Sequence, residues 1–182
     1  MKFIVLFISL IFISDMQNQE HSKIYIGSPK HPIKITVSKK ALENEPYLKW
    51  NSFIEIISSN EFHDLTPKQR IAQLAFWYDS EVQNGGHLHY FENIGIEYLD
   101  ETIEALNILD AKCQQNILSK ASAIHNTKTR SKITSQEDMI KRALEGEYSE
   151  YDEEYYECKP DMNYYLKMYL EENINEFINF VE

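Results

Sequence analysis

The sequence predicts an all-α protein, a single compact domain of about six or seven helices with a short extended N-terminal arm. In the domain, at residues 38–182, apolar residues recur at three- and four-residue spacings, the period of a helix that buries one face. Capping residues and prolines stand immediately before several of these runs. The chain has 182 residues with five glycines and five prolines, so it fits one domain without long flexible linkers.

The N-terminal segment divides into a leader at residues 1–20 and an extended arm at residues 21–37. Residues 3–13 are almost entirely apolar, but a membrane-spanning helix needs about 20 such residues. With Lys2 before it, the run fits the apolar part of a secretory signal, although no small-x-small cleavage site follows. Translation from Met16 and a buried element of the fold are the alternatives. In the arm, prolines interrupt β-rich runs and leave room for one short hairpin at most.

The domain begins with two predicted helices. Asn44 can cap the first, and Pro46 lies in its first turn. Thr66 caps the second, and Pro67 takes its first helical position. Asn84, Gly85 and Gly86 then break the second helix. The apolar sides of these helices are formed by Leu48, Phe53, Ile56 and Ile57 in the first, and by Ile71, Leu74, Ala75, Tyr78 and Val82 in the second.

The middle of the domain continues as short helices. Residues 87–93 form a helix that stops at Gly95. Residues 98–109 and 111–124 resemble a helical hairpin, in which Asp110 caps the second helix.

The last part of the domain contains two further predicted helices. A polar, basic loop at residues 125–134 precedes a helix at residues 136–144, for which Ser135 and Asp138 form a capping box. Asp161 caps the final helix. One face of that helix consists of Tyr165, Tyr169, Ile174, Phe177, Ile178 and Val181.

The stretch at residues 77–93 reads WYDSEVQNGGHLHYFEN and contains the motif E-V-x-N-G-G-x-x-x-Y-F-x-N. With this motif the chain resembles the acidic DNA-mimic proteins and their uncharacterised relatives, over roughly residues 36–182. The resemblance implies an all-helical fold that is often dimeric. It also implies that carboxylates imitate a DNA phosphate backbone and so occupy a DNA-binding protein. The motif residues are Glu81, Val82, Asn84, Gly85, Gly86, Tyr90, Phe91 and Asn93.

The chemistry of the motif favours a structural corner over a reactive site. Adjacent glycines let the chain turn sharply, so that Tyr90 and Phe91 pack back on the preceding helix. The alternative is a metal or acid–base site formed by Asp79, His87 and His89. Residues two apart in a helix point about 200° away from each other, so the two histidines cannot easily share a ligand. We therefore expect no metal and no cofactor.

Negative charge is concentrated in the last quarter of the chain. Residues 137–182 contain 14 acidic and 4 basic residues, whereas residues 1–136 contain 15 and 14, for a net charge of −11. Residues 145–157, EGEYSEYDEEYYE, hold seven carboxylates and four tyrosines. Such a run repels nucleic acid and attracts basic surfaces, and tyrosine is favoured at interfaces. A solvated loop is the alternative interpretation.

From this run we expect a non-enzymatic protein that binds a basic partner, a DNA-binding protein or nuclease, and that thereby acts in transcription regulation. We expect no direct binding of nucleic acid and no membrane association once any leader is removed. A homodimer would bring two acidic runs together. The alternatives are an immunity-type protein that neutralises a toxin, and an enzyme or metal-binding protein that uses the Asp79, His87 and His89 region. The predicted partner-binding residues are Glu147, Glu150, Tyr151, Asp152, Glu153, Glu154, Tyr155 and Glu157.

The two cysteines, Cys113 and Cys158, lie far apart and do not have the spacing of metal ligands. We expect two thiols in a reducing compartment, and hence a cytoplasmic protein. If residues 1–20 are a true signal peptide, the protein is exported and the two cysteines can form a disulfide.

Overall fold

A computed structural model describes residues 22–27, 29 and 31–182, and the predicted leader at residues 1–20 lies outside these residues. The described part of the chain contains nine helices and two short strands, which confirms the all-α class with more helices than expected. None of the described helices is long and apolar enough to cross a membrane. The elements are β1 (Ile35–Ser38), α1 (Lys39–Asn44), α2 (Leu48–Ser59), α3 (Pro67–Asn93), α4 (Leu99–Ile108), α5 (Lys112–His125), α6 (Gln136–Leu144), α7 (Ser149–Glu157), α8 (Met162–Glu172), α9 (Ile174–Phe177) and β2 (Ile178–Val181).

Helix α3 is the centre of the domain, and α2, α4, α7 and α8 all pack against it. Its predicted apolar stripe is buried throughout. The predicted start at Thr66 is confirmed, because the Thr66 hydroxyl accepts a hydrogen bond from the Gln69 backbone N–H and the Gln69 side chain accepts one from the Thr66 backbone N–H. The predicted break is also confirmed, because Gly85 and Gly86 have non-helical dihedrals inside α3.

The end of the chain differs from the prediction. Helix α8 begins after Asp161, whose side chain caps it as expected, but it ends at Glu172. After the single turn of α9, strand β2 pairs in parallel with β1, in the register Ile35 to Ile178. The predicted helical face through Val181 is therefore wrong. The β-prone segment at residues 178–181 gains a backbone partner from the distant arm, and this pairing overrides the helical period.

The described residues of the arm form no hairpin with one another. Its strand β1 pairs with β2, and its earlier residues are fastened to α3 by Arg70. The fully buried Arg70 guanidinium donates to the backbone carbonyls of Ile24 and Ile26, at 3.0 and 2.6 Å, and to further carbonyls of the arm and of residues 62–63. A buried cation is costly unless its hydrogen bonds are satisfied, and these carbonyls satisfy them.

Two predicted helix caps are wrong. Asn44 is the last residue of α1, and its side chain donates to the Lys40 carbonyl instead of capping α2. Asp110 has a φ of 59° in the turn between α4 and α5, and α5 begins after Ala111 without a side-chain cap. The predicted cap at Ser135 is confirmed by its hydrogen bond from the Asp138 backbone N–H, and α6 has the predicted bounds.

Cys113 and Cys158 form a disulfide, so the expectation of two free thiols is wrong. Cys113 lies in the first turn of α5, and Cys158 directly follows α7. Packing of α7 on α5 brings their Cα atoms to 5.9 Å, a usual distance for a disulfide. The two cysteines are 45 residues apart in the sequence, and this spacing does not indicate that they lie close together.

Candidate interaction surface

The densest part of the acidic run forms a helix. Residues 149–157 make up α7, which packs against α3 on one side and α5 on the other. Glu150 and Asp152 lie in its first turn, where negative side chains interact favourably with the helix dipole. The helix therefore has an inner face toward the core and an outer face toward solvent, and the two differ in chemistry.

The inner face of α7 is aromatic and buried. Tyr155 is buried, and its hydroxyl donates a hydrogen bond of 2.7 Å to an Asp79 carboxylate oxygen on α3. Its ring meets that of Tyr78 edge-on, with centroids 5.4 Å apart. At the edge of this face, the half-exposed Tyr156 donates from its hydroxyl to the Val82 carbonyl at 3.2 Å. Burial raises the pKa of Tyr155 well above its usual value, so the neutral phenol is the form that this face contains.

Asp152 joins α7 to the glycine corner of α3. One of its carboxylate oxygens lies 2.8 Å from the His87 backbone nitrogen and 2.6 Å from His87 Nδ1. The Nε2 atom of the same ring lies 2.9 Å from the Tyr78 hydroxyl. Because a carboxylate only accepts, Nδ1 donates to Asp152, and in the neutral ring Nε2 accepts from Tyr78. Neither His87 nor Tyr78 has exposed surface, so the chain of groups is a buried anchor for α7.

Gly86 makes this anchor possible. Its φ of 72° and ψ of −171° belong to a region that is essentially restricted to glycine. A Cβ atom there would lie 2.6 Å from the Asp152 Cγ atom, so a side chain at residue 86 would displace the carboxylate. Gly85, in contrast, has an extended φ of −171° and is covered by the His89 ring. Of the two glycines, Gly86 is thus the one with positive φ.

The other motif residues also have structural contacts. The Asn93 side chain donates to the Glu81 carboxylate at 2.7 Å and so links the two helical parts of α3 across the corner. Tyr90 and Phe91 are buried, and the Phe91 ring stacks on His125 with centroids 4.1 Å apart. These contacts agree with the interpretation of the motif as a corner that stabilises the core.

The start of the acidic run is neutralised within the molecule. Glu147 accepts from Arg130 Nη2 at 2.6 Å and pairs with Lys128 Nζ at 3.0 Å, and only 11% of its side chain is exposed. Hydrogen bonding from Arg130 holds the pKa of Glu147 below its usual value. The basic loop at residues 125–134 therefore folds onto the run, and Glu147 is already paired.

The outer face of α7 carries the remaining carboxylates. Positions 150, 153, 154 and 157 follow the spacing of one helical face, and all four side chains line an open groove between α7 and α5. They span about 10.5 Å of helix axis. Glu154 forms an exposed ion pair with Lys120 on α5, at 3.1 Å. The α5 wall of the groove consists of Cys113, Asn116 and Ile117.

The structure thus divides the predicted partner-binding residues into two sets. Glu150, Glu153, Glu154 and Glu157 share the groove, and we call them the acidic face. Glu147, Asp152 and Tyr155 make the internal contacts described above, and the half-buried Tyr151 lies edge-on to His87, with centroids 6.4 Å apart. Tyr156, which is half exposed, and the groove wall on α5 were not predicted. Helical spacing alone could have indicated this division, because positions 150, 153, 154 and 157 fall on one face of a helix and positions 152 and 155 on the other.

The three side chains of the alternative metal or acid–base site, Asp79, His87 and His89, make separate contacts. No group of three or more histidine, cysteine, aspartate or glutamate side chains in the described ranges is placed to hold a metal ion. His87 is buried against Asp152 and Tyr78, whereas His89 covers Gly85. The two histidines therefore serve different local contacts, and His87 has no surface on which a substrate could bind.

Comparison with known proteins identifies the family of the chain. The model of the DMP19-like protein family matches residues 63–173, more than half of the chain. The chain belongs to this family. The matched segment runs from the start of α3 through the acidic face to the end of α8, and so includes both the glycine corner and α7. No curated protein and no solved structure has significant similarity to the chain.

Proposed function

We propose that this member of the DMP19-like family is a non-enzymatic protein that binds a basic partner, a DNA-binding protein or nuclease, with carboxylates that take the place of DNA phosphates. The observation that supports the proposal is the acidic face of α7. Its carboxylates lie together along one side of a helix whose other side is bonded to the core. The fixed inner face would let the outer charges meet a partner without first being ordered, which lowers the entropic cost of binding.

The charge density of this face is comparable with that of a nucleic acid. Four carboxylates over about 10.5 Å of helix axis give about one charge per 3 Å, whereas duplex DNA carries about one per 1.7 Å and each strand one per 3.4 Å. The acidic face would therefore resemble a short stretch of one DNA strand. Three of the four carboxylates have no ion pair within the described part of the chain, and only Glu154 pairs with a lysine.

The groove adds an apolar component to this electrostatic surface. The Tyr156 ring and Ile117 line the groove beside the carboxylates. Tyrosine contributes contact area and a hydrogen-bonding group at low cost in side-chain entropy. We expect Tyr156, and not the buried Tyr155, to pack against the partner.

A salt-gradient elution tests the proposal. The tagged protein is bound to resin, incubated with an extract of its own cells at low salt and eluted with increasing salt. We expect a DNA-binding protein or nuclease to elute at moderate salt and to be displaced earlier by duplex DNA, because both ligands would compete for one basic surface. Retention of proteins that duplex DNA does not displace would contradict mimicry.

Two triple variants make the elution specific to the acidic face. Glu150→Gln, Glu153→Gln and Glu157→Gln together remove three of its charges. The matched control, Glu43→Gln, Glu55→Gln and Glu61→Gln, changes the net charge equally at exposed positions outside α7. Loss of the partner from the first variant alone would support the acidic face. Equal losses from both would indicate attraction by overall charge.

A toxin-neutralising protein of the immunity type remains the second candidate function. The disulfide favours it in one respect, since stable disulfides are typical of proteins outside the cytoplasm, where secreted toxins are found. Both candidates use the same acidic face, and the identity of the eluted protein separates them. The buried position of His87 supports either candidate over an enzyme of the Asp79, His87 and His89 region.

A further inference from the structure

The disulfide lies in the groove that contains the acidic face. Cys113 belongs to the α5 wall, and its residue is exposed. Cys158 is buried and directly follows Glu157, the last carboxylate of the face. The bond therefore connects the two walls of the groove covalently at the C-terminal end of α7.

The other bonds that hold α7 are distributed unevenly. Asp152 accepts hydrogen bonds from α3, and Tyr155 and Tyr156 donate to α3. Toward α5, the helix has the ion pair of Glu154 with Lys120, and both of these side chains are well exposed. Exposed pairs contribute little to stability. Two residues beyond Cys158, the Pro160 carbonyl also accepts a hydrogen bond of 3.0 Å from the Gln114 side chain of α5. The distance between α7 and α5 at Glu157 therefore depends on the disulfide, on this hydrogen bond and on apolar packing.

We propose, on the premise of the proposed function, that the Cys113–Cys158 disulfide fixes the acidic face for binding, so that the oxidised chain binds its basic partner more tightly than the reduced chain. In the reduced chain, the end of α7 that carries Glu157 separates from α5, and the partner has to order it again on binding. The partner would then be a basic protein that the chain meets in an oxidising compartment.

The Cys113–Cys158 disulfide forms and breaks by thiol–disulfide exchange. When the bond forms, the two cysteine thiols lose two electrons and two protons to an oxidised disulfide such as glutathione disulfide, which becomes two thiols. Reduction by a dithiol such as dithiothreitol reverses the step, and the dithiol closes into a cyclic disulfide. No other co-reactant is needed.

The experiment compares oxidised and reduced protein in two measurements. Binding of a lysine-rich linker histone, used as the basic DNA-binding probe, is measured by titration at low salt. Amide hydrogen exchange of residues 149–161 is followed by mass spectrometry. We expect about tenfold weaker binding after reduction, the cost of ordering one or two side chains again. Exchange should become faster at residues 156–161 and stay slow near Asp152. Lys120→Ala removes the exposed ion pair between the same helices and frees Glu154 for the histone. It should not weaken binding, and exchange at residues 156–161 should stay slow.

If the reduced chain does not fold, a linkage measurement replaces the comparison of the two forms. The histone must then raise the dithiothreitol concentration needed for half-reduction, because a ligand that prefers the oxidised form stabilises that form by the same factor. Equal binding of both forms, or a half-reduction point that the histone does not move, would overturn the proposal. Absence of histone binding by either form would instead overturn the proposed function, and this inference with it.

Discussion

The two faces of α7 are made from one acidic, tyrosine-rich run, yet they have opposite roles. On the inner face, Asp152 and Tyr155 form hydrogen bonds with His87 and Asp79 of α3. On the outer face, Glu150, Glu153 and Glu157 line an open groove. The comparison shows that a carboxylate in a dense acidic run can be a structural group. The charge available to a partner is therefore smaller than the composition of the run indicates.

The largest expected effect comes from Gly86, where the lack of a side chain leaves room for the Asp152 carboxylate of the inner face. Gly86→Ala should lower the free energy of unfolding by about 3 kcal/mol, because the backbone conformation disfavours any side chain and the new Cβ displaces Asp152. Chemical denaturation would measure this loss. The control is Gly95→Ala, since Gly95 also has positive φ but open space around its Cβ position, and it should cost about 1 kcal/mol. Equal losses of unfolding free energy in the two variants would show that the contact of the new Cβ atom with Asp152 adds no cost at residue 86.

A pair of alanine substitutions compares the two faces directly. Asp152→Ala should cost about 2 to 3 kcal/mol, because it leaves the buried backbone N–H and ring N–H of His87 without an acceptor. Glu153→Ala, one residue away on the outer face, should change stability by no more than about 0.5 kcal/mol. Urea denaturation measures the change in unfolding free energy of each variant, provided that the m-value stays unchanged. A Glu153→Ala cost as large as that of Asp152→Ala would remove the distinction between the faces.

The smallest expected effect concerns the partner of Tyr155. Burial raises the pKa of Asp79 above its usual value, although the hydrogen bond from Tyr155 acts in the opposite direction. A raised folded-state pKa gives stability that is fully present below the unfolded-state pKa and is lost as pH rises through the folded-state pKa. Asp79→Asn keeps an acceptor for Tyr155 and has no charge. We expect the variant to be more stable than the parent at pH 7 and the gain to disappear as the pH falls below about 4.

Thermal unfolding of the Asp79→Asn variant and its parent across this pH range checks the sign. A gain that does not change with pH would mean that the charge of Asp79 is not its cause. A loss at pH 7 would mean that the ionised carboxylate is needed for the inner face.

The features that the sequence predicted well are local ones. The apolar stripe of α3, the caps at Thr66, Ser135 and Asp161, and the break at Gly85 and Gly86 each depend on residues within a few positions of one another. In these places local preference and final fold agree, so the pattern was sufficient. Asn44 and Asp110 show the limit, because each suits a cap but the chain uses it in a different turn.

The features that were missed depend on contacts between distant residues. His87 and Asp152 are 65 positions apart, and the pairing of β1 with β2 joins the arm to the end of the chain. The disulfide likewise follows from the packing of α7 on α5. Nothing in the spacing of these residues reports that they meet. The acidic run stood out in the sequence, but its division into two faces required knowledge of which side of α7 is buried.

We propose that the outer carboxylates of α7 bind a basic partner in place of DNA. The most direct measurement is the affinity for the eluted partner as a function of salt, for the parent and for the triple variant Glu150→Gln, Glu153→Gln and Glu157→Gln. We expect the variant to bind more weakly at low salt and its affinity to fall less steeply as salt increases, because fewer ion pairs form. Identical affinities and salt slopes for the two proteins would contradict this proposal.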